Sequence, residues 1–294
     1  MATPLQLENG HLTDAQVKSY WDDGYLFPIQ VLSDDEAAAC RAEIEKIEED
    51  WLDNGLPLPL ATYKRVNAHL VMTLPNRVAS DPRVLDAVEG VLGPDIMVYG
   101  AEFFIKEANT KHIVTMHQDL TYWGLGATSK MVTAWIALSP ATSASGCMDF
   151  VAGSHKNPIL PHEDTFDENN LLSRGQEIKV DVADEDRVAI ELQPGQMSLH
   201  HGLTIHGSGP NISDDRRIGL VIRYVTPDVM QEVADHDYAT LVRGRDTTGN
   251  FENIPAPVAD FTAEDLKRFE QVRAARAQVL MRDAKGKNRM YVDG

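Results

Sequence analysis

A chain of 294 residues with 43% hydrophobic and 24% charged content is long enough for a full apolar core, and that composition speaks against a disordered or fibrous protein. The formal net charge of -18 speaks against nucleic acid as a partner, because phosphate backbones are held by Lys and Arg, and disfavours a polyanionic substrate unless a local basic patch overrides it. Two cysteines, Cys40 and Cys147, make no disulfide framework, and the N-terminus lacks a basic region followed by an apolar run, so the expectation is a soluble, cytoplasmic protein with no membrane partner.

The first part is expected to be helical. Thr13-Asp14-Ala15-Gln16 and Ser33-Asp34-Asp35-Glu36 both fit a capping box, in which the first and fourth side chains satisfy each other's backbone N–H groups. Between them Gly24 to Ile29 predicts a short strand. The second box opens a helix over about 34–52, with Ala37, Cys40, Ile44, Ile47 and Trp51 as its apolar stripe. Asn54-Gly55 and Pro57-Leu58-Pro59 mark a loop, and a third helix starts at Asp81-Pro82 and stops at Gly93-Pro94. From Ile96 the period changes to that of strands: Ile96–Tyr99, Glu102–Lys106, Met131–Leu138, Ile178–Val180, Val188–Ile190, Met197–His201 and Ile218–Val225. Residues 157–175 form a polar excursion without periodicity, a candidate lid. A last capping box at Thr262-Ala263-Glu264-Asp265 opens a charged helix to about Met281. Many short strands with Gly and Pro turns predict a jelly roll or barrel. The whole, 1–294, is expected to be one mainly β domain with flanking helices: helical over about 13–93, a jelly-roll core over about 96–226, a helical tail over about 262–282.

The chemistry concentrates in Met116-His117-Gln118-Asp119-Leu120. In an extended segment residues i and i+2 share a face, so His117 and Asp119 would project an imidazole and a carboxylate together. A third ligand must come from elsewhere, and His200, His201 and His206 are the candidates. Two His and one carboxylate on one face of a metal mark non-haem Fe(II) oxygenases. The bland alternative is a surface strand pair that holds nothing.

His117-x-Asp119, His206 in His-Gly-Ser-Gly-Pro-Asn, and Arg217 eleven residues later resemble the phytanoyl-CoA dioxygenase family of Fe(II)/2-oxoglutarate oxygenases. Gly146-Cys147-Met148, Gly153-Ser154-His155 and Pro194-Gly195 add to the resemblance, which runs from about Asp14 to Tyr224. It implies a double-stranded β-helix, a cupin-like jelly roll, with the metal at one mouth. It selects His206 as the distal ligand, leaving His200 and His201 as packing or supporting residues and His155 as structural. It implies Fe(II), 2-oxoglutarate and O2 as cofactors, with the far carboxylate of 2-oxoglutarate on Arg217. Ser208 assists there, and Trp135 and, more weakly, Thr133 stand beside the cosubstrate. Arg216 is expected to face outward as a surface charge near Asp214 or Asp215. Phe104 and Lys106 share a face and are weaker candidates for the pocket, Lys being usually exposed. The implied reaction is hydroxylation of a small molecule with release of succinate and CO2, and Asp119 favours it over halogenation, because related halogenases have a small residue at that place. Tyr122, Trp123 and the segment Tyr63–Asn67 are candidates for the substrate, holding either a cation through aromatics or a carboxylate through Arg65. The rival reading is a non-catalytic cupin-like barrel that binds a ligand or a structural metal.

Overall fold

The computed structural model describes residues 2–179, 181–282 and 284. Both N-terminal capping boxes form, with Thr13 opening helix α1 (Asp14–Asp23) and Ser33 opening α2 (Asp34–Trp51). Strand β1 (Tyr25–Gln30) lies between them. Ala37, Cys40, Ile44 and Ile47 of α2 are buried as their spacing demands, each large aliphatic contributing about 1.5–3 kcal/mol. Three helices follow, α3 (Leu60–Arg65), α4 (Thr73–Ala79) and α5 (Pro82–Leu92), the last with Asp81 as its cap and Pro in its first turn. Then come β2 (Ile96–Lys106), β3 (Val114–His117), β4 (Met131–Ala137) and β5 (Met148–Val151). A hairpin of β6 (His162–Asp164) and β7 (Gln176–Ile178) precedes β8 (Arg187–Ile190), β9 (Gln196–His201), β10 (His206–Ser208) and β11 (Arg217–Val225). The chain closes with β12 (Tyr238–Arg243), β13 (Glu252–Asn253) and helix α6 (Ala263–Leu280).

The strands form a seven-stranded sheet in the order β1-β9-β4-β11-β2-β12-β13 and a four-stranded sheet in the order β3-β10-β5-β8. All pairings in both are antiparallel except β12 with β13. This is the jelly-roll arrangement, with its sheets largely unclosed. Side chains alternate across the large sheet as the pleat requires. Val132, Ala134 and Ile136 of β4, Ile218, Leu220, Ile222 and Tyr224 of β11, and Met197 and Leu199 of β9 join the core beneath the helices. Their neighbours Thr133, Trp135, His200, Arg217, Val221 and Arg223 line the space between the sheets.

Several elements differ from expectation. The two strands foreseen at Ile96–Tyr99 and Glu102–Lys106 are one, β2, with a register shift where Arg223 faces Gly100 and Tyr224 faces Val98. Helices α3 and α4 were unforeseen: each is under two turns long, with Pro59 or Pro75 at or near its start. Strand Ile178–Val180 is displaced to Gln176–Ile178, and Val180 lies outside the described residues. The polar excursion contains β6 and pairs with β7. Thr262 does cap α6 through Asp265 N (3.2 Å), but Asp265 returns its carboxylate to the Thr262 hydroxyl (2.5 Å), so the reciprocal backbone bond is replaced by a side-chain one. None of the described helices is long and apolar enough to cross a membrane.

Candidate active site

His117 ends β3 and His206 begins β10, and the register sets them opposite each other with ring centroids 4.1 Å apart. Asp119 arrives differently from the expected strand geometry. The strand stops at His117, Gln118 remains extended, and Asp119 opens a short 3-10 turn. The ligand-capable atoms of His117, Asp119 and His206 all lie within 4.8 Å of one another, and all three residues are buried. His117 Nδ1–H donates to Thr115 O (2.9 Å) and His206 Nδ1–H to Thr204 O (2.9 Å), which leaves each Nε2 lone pair for a metal. Thr133 Oγ1 donates to Asp119 Oδ2 (2.8 Å) and fixes the carboxylate. Burial alone would raise the Asp119 carboxyl, but the neighbouring His117 and His200 imidazoles and the charge of Arg223 hold it well below the usual carboxylate range. Burial holds His206 well below the usual imidazole range, so it is neutral, the state a metal ligand needs. Two imidazoles that each present Nε2 and an ionised carboxylate suit a divalent iron. His200 is buried against Phe150 and His206, its Nε2 3.4 Å from Asp119 Oδ2.

A cavity with an empty volume of ≈ 390 Å³ leads from these residues between the sheets. At its other end Arg217 is fully buried, its guanidinium 5.3 Å from the Trp135 ring and donating to Gly146 O. Among the described residues, no hydrogen-bond partner meets its Nε. Opposite Arg217 in the β2–β11 register stands Lys106. Contrary to the expectation for lysine, it is 0% exposed. Its Nζ donates to Ser208 Oγ (2.7 Å), to Gly209 O and, at 3.4 Å, to Gly146 O. Burial, aided by Arg217, pushes its pKa down to about 6, and burial pushes Arg217 down to about 10. Ser208 thus stands at this end as foreseen, through Lys106. Thr133 lines the same cavity but its hydroxyl serves Asp119, not the far end. Gly219 lies on β11 opposite Ala137 of β4, and a Cβ there would overlap the Trp135 indole, so only glycine lets the ring sit against the sheet.

Arg216 points the other way, as the alternation demands. Its partners correct the expected ones: Glu48 (2.9 Å) and Glu107 (2.9 Å) take its guanidinium, while Asp215 is held by Arg41 (2.7 Å). His155 is structural, its Nε2 3.1 Å from Trp21 O, and its ring lies 5.3 Å from that of His201. A second, outer cleft opens on the same centre, sharing Phe104, His117, Asp119 and Arg223 with the inner cavity. Arg65, Asn67, Tyr122 and Trp123 line it as foreseen, whereas Tyr63 packs into the core against Phe261 and Phe269. Glu102, Arg223 and Arg276 were missed. Glu102 and Arg223 share the inward face of their strands with Phe104 and Arg217, so pleat parity could have found them; Arg276, on α6, carried no such signal.

A facial His-Asp-His centre between two jelly-roll sheets, with a buried cation at the far end of the cavity, defines an iron- and 2-oxoglutarate-dependent oxygenase. Residues 20–219 match the family model of phytanoyl-CoA dioxygenase (PhyH), and the chain belongs to that family. It is 26% identical to the peroxisomal phytanoyl-CoA dioxygenase of Rattus norvegicus over 239 residues, 76% of this chain and 71% of the rat protein. The structure of the non-heme monooxygenase ThoJ in its apo form superposes with a TM-score of 0.82 at 33% identity, covering 92% of this chain and 100% of ThoJ. CytC3 with Fe(II) and alpha-ketoglutarate shares the fold, with a TM-score of 0.61 at 19% identity over 86% of this chain and 97% of CytC3.

Proposed function

We propose that this chain hydroxylates an aliphatic C–H bond of a small molecule, with release of succinate and CO2, using His117, Asp119 and His206 as iron ligands. The observation that carries the proposal is the single inner cavity with the His-Asp-His centre at one end and the buried Arg217 guanidinium at the other. Bound iron supplies the reaction of O2 with 2-oxoglutarate that oxidises the substrate. The residues do the rest. Arg217 takes the far carboxylate of 2-oxoglutarate in a charge-assisted pair, and Lys106 with Ser208 offers further donors beside it. Trp135 walls that end and excludes water. Thr133 keeps Asp119 in place. The outer cleft admits the substrate against the same metal face. Asp119 fills the ligand position that a halide would need, which favours hydroxylation over halogenation.

A non-catalytic metal-binding barrel of the same fold has no use for a desolvated arginine facing a cavity, and burying one without a counter-anion is unfavourable. The test is anaerobic addition of Fe(II) and 2-oxoglutarate, which should produce a weak visible absorption band, followed by O2 and a succinate assay on a panel of small metabolites. A protein that takes up iron but gives no band and no succinate would be a binding module.

A further inference from the structure

We propose that the outer cleft takes an uncharged, oxygen-bearing substrate whose carbonyl, ether or hydroxyl oxygens accept hydrogen bonds from Asn67 Nδ2 and Gln176 Nε2; this rests on the reading of the inner cavity as the 2-oxoglutarate site. Both residues line the cleft, Asn67 from the turn after α3 and Gln176 from β7 of the hairpin. Both are withdrawn from water, at 6% and 8% exposure. Each amide has already used its oxygen. Asn67 Oδ1 accepts from Arg276 Nη1 (2.6 Å), and Gln176 Oε1 accepts from the Arg174 backbone N–H (3.0 Å). A donor on the oxygen fixes which way an amide is turned, so the NH2 end of each is defined. Among the described residues neither NH2 group meets an acceptor: Asn67 Nδ2 is buried without one, and Gln176 Nε2 makes no hydrogen bond. An enclosed donor left unpaired is costly, and an incoming oxygen removes that cost. Ser173 adds a hydroxyl to the same wall of the cleft.

The charged groups of the same lining are already engaged. Arg223 is bonded to Glu102, and Arg65 donates to Leu171 O (2.6 Å) and lies 3.8 Å from Glu102. All three guanidinium nitrogens of Arg276 are bonded, to Asp237 Oδ1 (3.4 Å), Asn67 Oδ1 (2.6 Å) and Tyr238 O (2.6 Å). Asp119 belongs to the metal centre. The aromatic rings are engaged as well: Arg65 stacks on Phe104 (3.7 Å), Arg276 on Tyr99 (4.0 Å), Arg174 on Tyr122 (4.3 Å) and Arg223 on Trp123 (4.6 Å). A substrate ammonium would meet each ring beside a resident cation. A substrate carboxylate would have to draw a guanidinium away from its present partners. Both charged alternatives raised by the sequence are thereby disfavoured. A wholly apolar molecule would seal the two NH2 groups away from any acceptor. Oxygens on an uncharged, partly apolar frame avoid all three penalties. An empty volume of ≈ 830 Å³, with Leu172, Val279 and Leu280 in its walls, has room for such a frame.

The experiment uses the full chain loaded with Fe(II) and saturating 2-oxoglutarate without oxygen, and reads the shift of the visible band on adding probes. The probes are 4-phenylbutanamide and octanamide, the carboxylates and the primary ammonium ions of the same skeletons, and butylbenzene. At least one amide should shift the band with half-saturation about 10-fold or more below its carboxylate and its ammonium ion, the scale of one buried polar group left unpaired. Butylbenzene should bind more weakly than 4-phenylbutanamide. Gln176→Glu and Asn67→Asp keep the size and the accepting oxygen of each side chain but turn the donor into an acceptor. Each should raise the amide half-saturation by about 10-fold and narrow or reverse the preference over the ammonium ion, a reversal that a merely structural amide would not give. The comparison of probes on the unsubstituted protein needs neither variant to fold. Equal or tighter binding of a carboxylate, an ammonium ion or butylbenzene, no shift by either amide, or an unchanged amide half-saturation in both variants overturns the inference. Absence of the band in the unsubstituted protein before any probe is added overturns the 2-oxoglutarate reading instead.

Discussion

Arg216 and Arg217 are adjacent and chemically alike, yet the pleat of β11 sends one to Glu48 and Glu107 at the surface and the other, 1% exposed, into the cavity. Truncating a desolvated charge that pairs with a carboxylate costs roughly 2–5 kcal/mol, or about 30-fold and upward in affinity. Arg217→Ala should therefore raise the 2-oxoglutarate concentration that half-develops the anaerobic band by about that factor while iron still binds. Arg216→Ala should leave the titration alone, since its partners are part-exposed ion pairs of small worth. A titration damaged by Arg216→Ala and spared by Arg217→Ala would mean that the strand register is off by one residue. Lys106 makes a different prediction. Its pKa is lowered from the ordinary 10.5 to about 6, chiefly by burial. Between those values the unfolded chain binds the proton and the folded one does not, so stability must rise with pH across that window, with the penalty fully present below about 6. Denaturant unfolding of the metal-free protein should show that rise, and Lys106→Met should flatten it. Parallel pH profiles for the two proteins would show that Lys106 is not the buried base described.

At the scale of the element, β11 is the organising strand, pairing with β2 on one edge and β4 on the other. Its outward residues Ile218, Leu220, Ile222 and Tyr224 are core and its inward residues are the site. That the two arginines take opposite sides was legible from the strand period, and the family resemblance, by the offset from His206, selected Arg217 as the inward one. The short elements were not. Helices α3 and α4 owe their existence to packing against β2 rather than to propensity, and the turn at Asp119 is set by contacts with Thr133 and Gly202, none adjacent in sequence. Gly219 of β11 leaves the space that the Trp135 indole of β4 fills. Gly219→Ala must push the Trp135 indole off its place, an overpacking that costs about 1–3 kcal/mol. The melting temperature should fall and the 2-oxoglutarate titration should weaken together, since the indole walls that end of the cavity. A variant with unchanged melting and unchanged titration would show that Trp135 has room to move.

Across the whole molecule, the metal centre was legible because its His-x-Asp pair and distal His sit in spaced motifs, and the outer cleft was legible only in part: Arg65, Tyr122 and Trp123 were candidates and strand parity reaches Arg223, but Arg276 on α6 carried no signal. Lys106 was misjudged for a related reason: residue type predicts exposure, but a register partner such as Arg217 is a tertiary fact. His117 closes β3, His206 opens β10, and Asp119 sits in the connection toward β4, so an ion held by all three would join the small sheet to a loop bound to the large one. Without a cation the three groups face one another across less than 4.8 Å. A metal that binds only the folded chain stabilises it by about 2.7 kcal/mol at a hundred times its Kd. For a chain of this size that corresponds to a melting rise of about 4 °C. Anaerobic Fe(II), or a redox-inert divalent substitute, should therefore raise the melting temperature of the wild-type protein by that order. His206→Ala should lose the rise completely. His201→Ala should keep it, because His201 sits in the outer packing with Trp21 and His155 and accepts Leu203 N–H (3.1 Å) rather than facing the centre. His200→Ala decides the remaining question: a retained rise leaves it as packing beside Asp119, whereas a lost rise, with His206→Ala unaffected, would move the distal ligand from β10 to β9 and break the proposed triad.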